Sequence, residues 1–493
     1  QRARFMVERQ FYENPSDPWN RDHLFLPFDY RLGTRLDEFD DVWEVGGTGD
    51  PGFGEPVFLA QKNVCYPSRD EVEKLELYVN DCLFAHIQNP RTYEIRASLF
   101  WKTRYPSSYS STYSQARSEE TWRTYNYAFA ANIYHAMYRI GREYDVLTRR
   151  TAHDYLRICY ETCRKWFTTG PYTHVGMIGG ANAVEILRDI RREGWTQEAG
   201  VLQSLMRECT DEFLRDPYPY CSEIEIDETG QHQVYFFARM FGQEGDPRCL
   251  ARSREVLAVL EAMRGGDQPV WFCYGNDLFA HPDFRGQIAC WHAESINGMA
   301  LLRGFEDTGD LSMLTKGYAG VMSVLHNILP DGMGFGWFRL DPGVFACEPA
   351  RTFEGGPGLW GFLRSAKAYV IDDPAFGRVG IGCRIEQNGD ELRVVPRDGV
   401  RKRLLVAAER LNVTASSGEI AECVFDKRVG RLRLSMEDST GLVRTVRLDI
   451  DGLPTGAYTQ RTSGTSRSLD VAGTVHLSVP IADAASIVIE PRS

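Results

Sequence analysis

No stretch of this sequence approaches about 18 consecutive apolar residues, so no segment is suited to span a bilayer as a helix. Nor is there an excess of positive charge. The 56 Lys+Arg face 68 Asp+Glu, a formal net charge of -12 at pH 7, which argues against a general nucleic-acid binder or a protein held to anionic membranes. An anionic ligand would need a local arginine cluster, because the overall field opposes it. The twelve cysteines contain no Cys-x-x-Cys pair and no paired Cys/His spacing, so no structural zinc site and no metal ligand set is assigned. Cys159 and Cys163 lie four apart in a helical pattern, too far for an unstrained disulfide. Neither a Rossmann nor a P-loop fingerprint is present, and no organic cofactor is called for. No short-period repeat is visible either. The chain opens at Gln1 without a Met, a basic n-region or an apolar h-region, so the expectation is a removed leader or a longer N-terminal part. Asn412-Val413-Thr414 fits the glycosylation acceptor tripeptide, a pattern common by chance.

What is present is organised in two regimes. The 493 residues allow two to four domains at about 100–200 residues each, enough for a large core. Before Gly377, apolar residues recur at helical spacing. Within 119–144, Trp122, Asn126, Phe129, Ile133, Met137, Ile140 and Tyr144 step by three or four along one face. Helices are also expected at 69–88 and at about 150–168, 178–193, 195–215, 248–263, 287–304, 309–328 and 358–370, punctuated by Gly and Pro. After Gly377 the period falls to two. The short runs 392–395, 404–407, 431–435, 443–450, 475–479 and 486–490 alternate between turn residues such as Asn388-Gly389 and Asp451-Gly452. That is the pattern of an antiparallel β-sandwich. Residues 1–65, aromatic and rich in Pro and Gly, read as an extended arm and loops.

Helical hairpins can stack as a solenoid or close into a toroid. A solenoid shows a repeat, and none is seen; long inter-helix loops rich in Trp, Tyr, Gly and His suit a toroid whose loops build a cleft at one end. The expected class is α+β multidomain: an (α/α) toroid of helical hairpins over 66–376, followed by the C-terminal antiparallel β-sandwich over 377–493.

The chemistry sits in the inter-helix segments. Ten Trp, 23 Tyr and 26 Phe make 12% of the chain, and Trp271, Tyr274, Trp337 and Trp360 among them offer flat faces that suit sugar rings, or that seal helix ends. Arg123, Tyr125 and Asn126 stand where the long helix begins. A polar stripe of this kind can neutralise a carboxylate and move a proton, or can be a satisfied network between helices. On the adjacent face, Asn132, His135 and Arg139 follow at spacings of three and four. Tyr172 and His174 lie in the glycine-rich segment 170–180, where backbone can approach a ligand closely; a tight helix–helix turn has the same composition. Glu223, Glu225 and Asp227 alternate with Ile, so an extended segment turns all three carboxylates one way. Such a cluster raises a pKa or holds a divalent cation such as Ca2+, unless it is simply a solvated strand face. Tyr274, Asn276 and Asp277 precede a helix that carries His292, and Arg351 lies between Glu348 and Glu354 ahead of Trp360.

Arg4-Phe-Met-Val-Glu-Arg-Gln10, Tyr125-Asn126, Ser222-Glu223 with Asp227-Glu-Thr-Gly230, and Tyr274-Gly-Asn-Asp277 resemble the helical part of large secreted proteins of polysaccharide-degrading microbes. These form an uncharacterised family with a six-hairpin α/α-toroid, similar to the rhamnose–glucuronate polysaccharide lyases. The resemblance spans roughly residues 1–370 and runs loosely into the sandwich. It implies a polysaccharide or oligosaccharide substrate, a secreted or periplasmic location, and a further N-terminal β-domain absent from this chain. It transfers no active-site positions.

Two mechanisms fit these residues. A lyase removes the C5 proton of a uronate once its carboxylate is neutralised, and a Tyr or His serves as base or acid. Arg123, Tyr125, Asn126, Tyr172, His174, Tyr274 and His292 offer those groups. A glycoside hydrolase needs two carboxylates, about 5–5.5 Å apart for retention or about 6.5–9.5 Å for inversion, and Glu223, Asp227, Asp277 and Glu348 or Glu354 are the candidates. A non-catalytic glycan-binding protein is the third reading. β-Elimination is the expectation, chiefly on the resemblance.

Overall fold

A computed structural model describes residues 1–38, 42–102, 114–169, 178–216, 228–262, 288–334, 337–339, 352, 355–462, 465–481 and 484–492. The chain forms two compact units. One comprises Gln1–Lys62, Arg69–Tyr138 and Leu147–Arg364; the other comprises Asn63–Ser68, Arg139–Val146 and Ser365–Ser493.

The first unit is helical. Its elements are α1 (Arg2–Phe5, continued by a π-helical turn, Met6–Gln10), α2 (Val42–Val45), α3 (Gly49–Cys65), α4 (Arg69–Leu77, continued by the π-helical Tyr78–Ile87), α5 (Gln115–Ser118) and α6 (Thr124–Glu143). There follow α7 (Ala152–Trp166), α8 (Gly179–Arg192), α9 (Thr196–Arg215), α10 (Glu228–Gln243), α11 (Pro247–Ala262), α12 (Trp291–Thr308), α13 (Leu311–Ser323) and α14 (Gly355–Ser365). Two short antiparallel pairs join them: β1 (Phe28–Asp29) with β2 (Thr34–Arg35), and β3 (Ile288–Cys290) with β4 (Trp337–Arg339).

Local chemistry sets these helices. Thr151 and Asp154 form a reciprocal capping box at the start of α7, and Asp310 caps α13 by accepting the Ser312 N–H at 2.8 Å. On α7 the buried side chains Tyr155, Leu156, Ile158, Cys159, Thr162, Cys163 and Trp166 recur at the spacing of one face. Cys159 and Cys163 are free, buried thiols. Glu76 at the end of α4 is buried and accepts from the backbone N–H groups of Thr148 and Arg149, tying the α6–α7 connection to the first hairpin.

Among the described residues, six helices follow one another in a closed ring. At the heads of α3 and α6, the Asn126 Oδ1 accepts the Gly49 N–H at 2.9 Å, and Phe53 stacks on Phe129. Between α6 and α8, the Asn132 amide donates to the Ile178 carbonyl, while the His135 ring nitrogens lie 3.0 Å from Asn182 and 3.0 Å from Asp189. Gly180 of α8 meets the His232 backbone of α10, and Arg239 of α10 pairs with Asp307 of α12 at 2.6 Å. Ser295 of α12 packs on Gly361 of α14, and Gly356 of α14 packs on the backbone of Gly54 in α3, which closes the circle. The outer helices α4, α7, α9, α11 and α13 link successive members. The N-terminal helical segment is tied to α3, where Arg2 pairs with Glu55, and to Thr352 ahead of α14, whose hydroxyl accepts from the Gln10 amide. The unit is the expected toroid of helical hairpins.

Among the described residues of the second unit, thirteen strands form two sheets. They are β5 (Ala368–Asp373), β6 (Gly377–Ile381), β7 (Cys383–Asn388), β8 (Glu391–Pro396), β9 (Arg403–Val406), β10 (Leu411–Ala415), β11 (Glu419–Asp426), β12 (Arg431–Glu437), β13 (Thr445–Asp451), β14 (Gly456–Thr462), β15 (Thr465–Val471), β16 (Val475–Pro480) and β17 (Ala484–Pro491). The sheet orders are β16-β13-β10-β9-β5-β6 and β15-β14-β17-β12-β11-β8-β7. All neighbours are antiparallel except β5 and β9. Strict alternation buries Val446, Leu448 and Ile450 of β13 and Leu392 and Val394 of β8. The segment 139–146 belongs to this unit: Glu143 accepts from Arg447 at 3.0 Å and from Ser416 at 3.0 Å.

The structure departs from the sequence reading most plainly in two places, besides strands such as β7, β10, β11, β14 and β15 that the alternating runs did not include. The expected arm carries the 17-residue helix α3. Its run of Gly and Pro reads as a breaker pattern, yet Gly52 and Gly54 are where a side chain would strike Trp43 and Pro357, so the small residues serve close packing. The last helix ends at Ser365 rather than near 370, and strand pairing begins with β5 at Ala368, ahead of the expected change at 377. Ala368–Ile371 is buried throughout, and a continuous apolar run carries neither period.

Ring closure through glycine yields a direct test. A Cβ at Gly356 would lie 1.9 Å from the Gly54 carbonyl oxygen, so Gly356→Ala should destabilise the fold by about 2 kcal/mol or more. Gly200 in α9 has open space around it, and Gly200→Ala should stabilise by roughly 0.5–1 kcal/mol. Chemical denaturation of the two variants measures both, and equal effects would refute closure at Gly356.

Candidate functional site

The inner helices present their first turns side by side, and several polar side chains are sealed between them. His232, on the first turns of α10, is fully buried, and neither ring nitrogen has a hydrogen-bond partner. Its ring lies 4.7 Å from Phe236 and 6.2 Å, edge to face, from Trp360 of α14. Burial first, and the Arg364 charge second, push its pKa down to about 3, so the imidazole is neutral. A neutral imidazole holds one N–H donor and one nitrogen acceptor.

Arg364 lies one helical turn beyond Trp360. Its guanidinium is 4.9 Å from the Trp360 ring centre, 2.7 Å from the Glu185 carboxylate of α8 and 3.3 Å from the Gln61 amide oxygen of α3. A single arginine thus ties three inner helices together and carries its charge beneath Trp360. Gln231, Ser295 and Asn297 are also fully buried, and none of their side-chain polar atoms has a partner. Ser295 rests against Gly361, the neighbour of Trp360. Among the described residues Glu294 is bound by the Ser323 hydroxyl of α13 alone, and burial raises its pKa well above the usual carboxylate range, which favours the protonated form.

At the heads of α3 and α6 the arrangement differs. The Arg123 guanidinium stands 4.1 Å from the Trp43 ring centre and 5.5 Å from that of Tyr125. Tyr125 is buried. Asn126 uses both ends of its amide on the protein: the Oδ1 takes the Gly49 N–H and the Nδ2 donates to the Arg96 carbonyl at 3.1 Å. It is a clamp between helix heads. His135, on the neighbouring face, is likewise a clamp between α6 and α8.

The structure therefore brings Arg123 and Tyr125 together, and puts Trp360 against a histidine that sequence reasoning did not single out. His292 lies in the first turn of α12 and Trp337 in β4; β4 pairs with β3 in the register Trp337–Cys290, so the two backbones meet where α12 begins. Tyr172, His174, Glu223, Asp227, Trp271, Tyr274, Asn276, Asp277 and Arg351 lie outside the described residues. Among the described residues, no group of three or more His, Cys, Asp or Glu is placed to hold a metal ion, and no helix is long and apolar enough to cross a membrane. His232, Ser295 and Arg364 were passed over. A signal for the first existed: Gln231-His232-Gln233 is a polar triplet at the head of a helix that continues Val-Tyr-Phe-Phe-Ala, and three successive polar residues on a helix cannot all face solvent when that helix is central.

Residues 1–486 match a family described as a family of unknown function (DUF5695). No curated protein matches the sequence. Among solved structures, a polysaccharide lyase is similar with a TM-score of 0.59 and 18% sequence identity, over 73% of this chain and 51% of that one. This chain thus spans about half the length of that protein. The cellobiose 2-epimerase from Bacillus thermoamylovorans B4167 is similar at a TM-score of 0.44 and 10% identity, over 73% of this chain and 98% of that chain. A GH127 β-L-arabinofuranosidase from Geobacillus stearothermophilus T6 is similar at 0.43 and 12%, over 94% and 74%. The likeness to the lyase establishes a shared fold.

Two titrations follow from the buried groups. The unfolded imidazole, near 6.5, takes up a proton that His232 refuses down to about 3, so its contribution is intact above pH 6.5 and is lost as the pH falls below it. Each pH unit in that window costs up to about 1.4 kcal/mol. His232→Gln should flatten the melting temperature between pH 6.5 and 3 relative to wild type, and parallel curves would refute the assignment. For Glu294, whose folded pKa is raised, the loss comes on the alkaline side. Glu294→Gln should raise the melting temperature at neutral pH and leave it unchanged below 4.5, the unfolded value.

Proposed function

This chain belongs to the family of unknown function DUF5695, and on that premise we propose that it is a carbohydrate-active enzyme, a polysaccharide lyase that cleaves at a uronic acid by β-elimination. One observation supports the reading: among the described residues, the buried carboxyls of the inner helices are each committed to a partner, Glu55 to Arg2, Glu143 to Arg447, Asp189 to His135 and Glu294 to Ser323, while the buried groups near the helix heads, Tyr125, Asn126 and His232, are neutral. That population suits the removal of a carbon-bound proton better than hydrolysis between two facing carboxylates. The fold shared with a polysaccharide lyase supports it further.

In this reaction the C5 proton becomes removable when the uronate carboxylate is neutralised by a cation or by amide donors, because negative charge then spreads onto that group as the proton leaves. Arg123, held over Trp43 and Tyr125, is the described cation for that task, with Arg351 as a second. His174 is the proposed base, and Tyr172, Tyr125 or His292 the group that returns a proton to the leaving oxygen. Trp271, Tyr274, Asn276, Asp277, Trp337 and Trp360 are assigned to holding the sugar chain. Asn126 has its amide committed elsewhere and acts by fixing the helix head that carries Tyr125. A polymeric substrate puts the protein outside the cytoplasm, in the periplasm or beyond the cell.

Incubation with acidic polysaccharides should generate the ultraviolet absorbance of the conjugated C4=C5 double bond in an unsaturated uronate. New reducing ends without that absorbance would instead assign hydrolysis, with Glu223 and Asp227 as the carboxylates to test. Retention of the polymer without either would assign binding alone. His174→Ala should abolish turnover with the melting temperature preserved, and a chelator should leave turnover intact. Loss on chelation would assign a divalent cation, such as Ca2+, to the acidic segment at 223–227.

A further inference from the structure

We propose that two adjoining turns of the second unit, one carrying Phe376 and the next carrying Lys427 and Arg428, form a non-catalytic binding site for an acidic polysaccharide chain. The inference rests on the carbohydrate reading above, and it assigns a ligand to residues the reaction does not use.

Phe376 is 82% exposed, although burial of a phenyl ring is strongly favoured. It lies in the turn between β5 and β6, and that turn is held firmly. The Asp373 Oδ1 accepts the Ala375 and Phe376 backbone N–H groups at 2.8 and 3.0 Å. Across the hairpin, Arg378 pairs with Asp372 at 2.8 Å and with Glu409 at 2.9 Å. The turn between β11 and β12 is fixed in the same way. The Asp426 Oδ1 accepts the Arg428 N–H at 3.1 Å, and the Asp426 carbonyl accepts the Gly430 N–H at 2.9 Å. Lys427, Arg428 and Val429 stand exposed on it. Both turns are joined to the one between β7 and β8: the Lys427 N–H donates to the Asp390 carbonyl at 3.1 Å, and Arg378 reaches the Gln387 amide oxygen at 3.4 Å. The Asp372 carboxyl is held below its usual range first by Arg378 and then by the charge of Lys427, which brings that cation to the β5–β6 hairpin.

The chemistry of the partner follows from the groups. Elsewhere in this unit Arg378, Arg393, Arg433, Arg447 and Arg461 are each paired with a carboxylate. Lys427 and Arg428, by contrast, form no ion pair among the described residues. Phe376 alone would suit any apolar partner, and the two uncompensated cations select an anionic one. A sugar that bears a carboxylate offers both features, an apolar ring face for the phenyl and an anion for the cations. An anionic membrane suits the tips less well. The formal charge of -12 opposes approach to an extended charged plane, and Asp372 and Asp390 border the same turns. A single polymer chain meets the local cations alone, within the range that salt leaves unscreened. Because each turn is already hydrogen-bonded, little ordering is lost on binding. Such a site retains the polymer between turnovers without entering the reaction.

Affinity electrophoresis of the full chain through gels containing polygalacturonate, xanthan or neutral dextran reads binding apart from turnover. At least one acidic polymer should retard the wild type, and dextran should not. The apparent dissociation constant should rise at least fivefold in Phe376→Ala and in the Lys427→Ala/Arg428→Ala pair, while Phe376→Trp, which keeps an aromatic face, should bind as wild type does. Added salt should weaken wild-type binding more steeply than that of the paired variant. All variants should melt with the wild type, because the altered side chains are exposed, and should turn over a short uronate oligosaccharide at the wild-type rate. No retardation by either acidic polymer, or equal retardation of every variant, would overturn the proposal. Phosphatidylglycerol vesicles that capture the wild type but not Phe376→Ala would assign the tips to a membrane instead, and a dimer abolished by Phe376→Ala would assign them to a second copy of the chain. Retardation that depends on Phe376 without any unsaturated product would end the lyase reading and leave this one standing; unsaturated product with retardation equal in all variants would do the reverse.

Discussion

Backbone contact between neighbouring inner helices is the constraint on which the helical unit depends. Gly356 on Gly54, Gly180 on His232 and Gly361 on Ser295 are approaches so close that an added Cβ would lie 1.9, 2.6 and 2.4 Å from the facing atom. Six helices can close a circle only at a spacing their side chains permit, and glycine at these contacts sets that spacing. The same closeness has a cost. Polar residues beside the glycines are squeezed out of reach of water, and the ring gives His232 and Ser295 no partner of their own.

Charge inside the ring is arranged around Arg364. Its guanidinium reaches Glu185 and Gln61 on two other helices and lies under Trp360, so one side chain braces the middle of the unit. A buried cation discourages a second one nearby, which adds to burial in keeping His232 neutral. Arg123 stands in another setting, half-exposed and laid over Trp43 and Tyr125 where α6 begins. The unit thus holds neutral buried groups against Trp360 and Gly361, and a cation at the head of α6.

Much of the helical unit was legible because its helices are two-sided. The expected spans 150–168, 178–193 and 195–215 fall on α7, α8 and α9, where one face is buried and the other charged. The alternating runs of the C-terminal unit were legible for the matching reason in strands: β13 and β8 bury every second residue. α3 was not, because it is buried nearly all round and its glycines mark contacts rather than breaks. The start of β5 was not, because Ala368–Ile371 shows neither period. Within the candidate site, Arg123 and Tyr125 were legible as a pair by adjacency. Asn126 was legible only as a polar residue on an apolar stripe, and its clamping role required Gly49 and Arg96 from other parts of the chain.

Local information decided element type, the order of hairpins then strands, and the kinds of side chain available for chemistry, because helix and strand periods and residue types are properties of neighbours in the chain. Ring closure, the sealing of His232 and the bracing by Arg364 were decided in three dimensions. Each joins residues more than 50 positions apart: Gly54 to Gly356, His232 to Trp360, Glu185 to Arg364. Whether a polar side chain is satisfied depends on which distant atoms surround it, and no pattern along the chain encodes that distance.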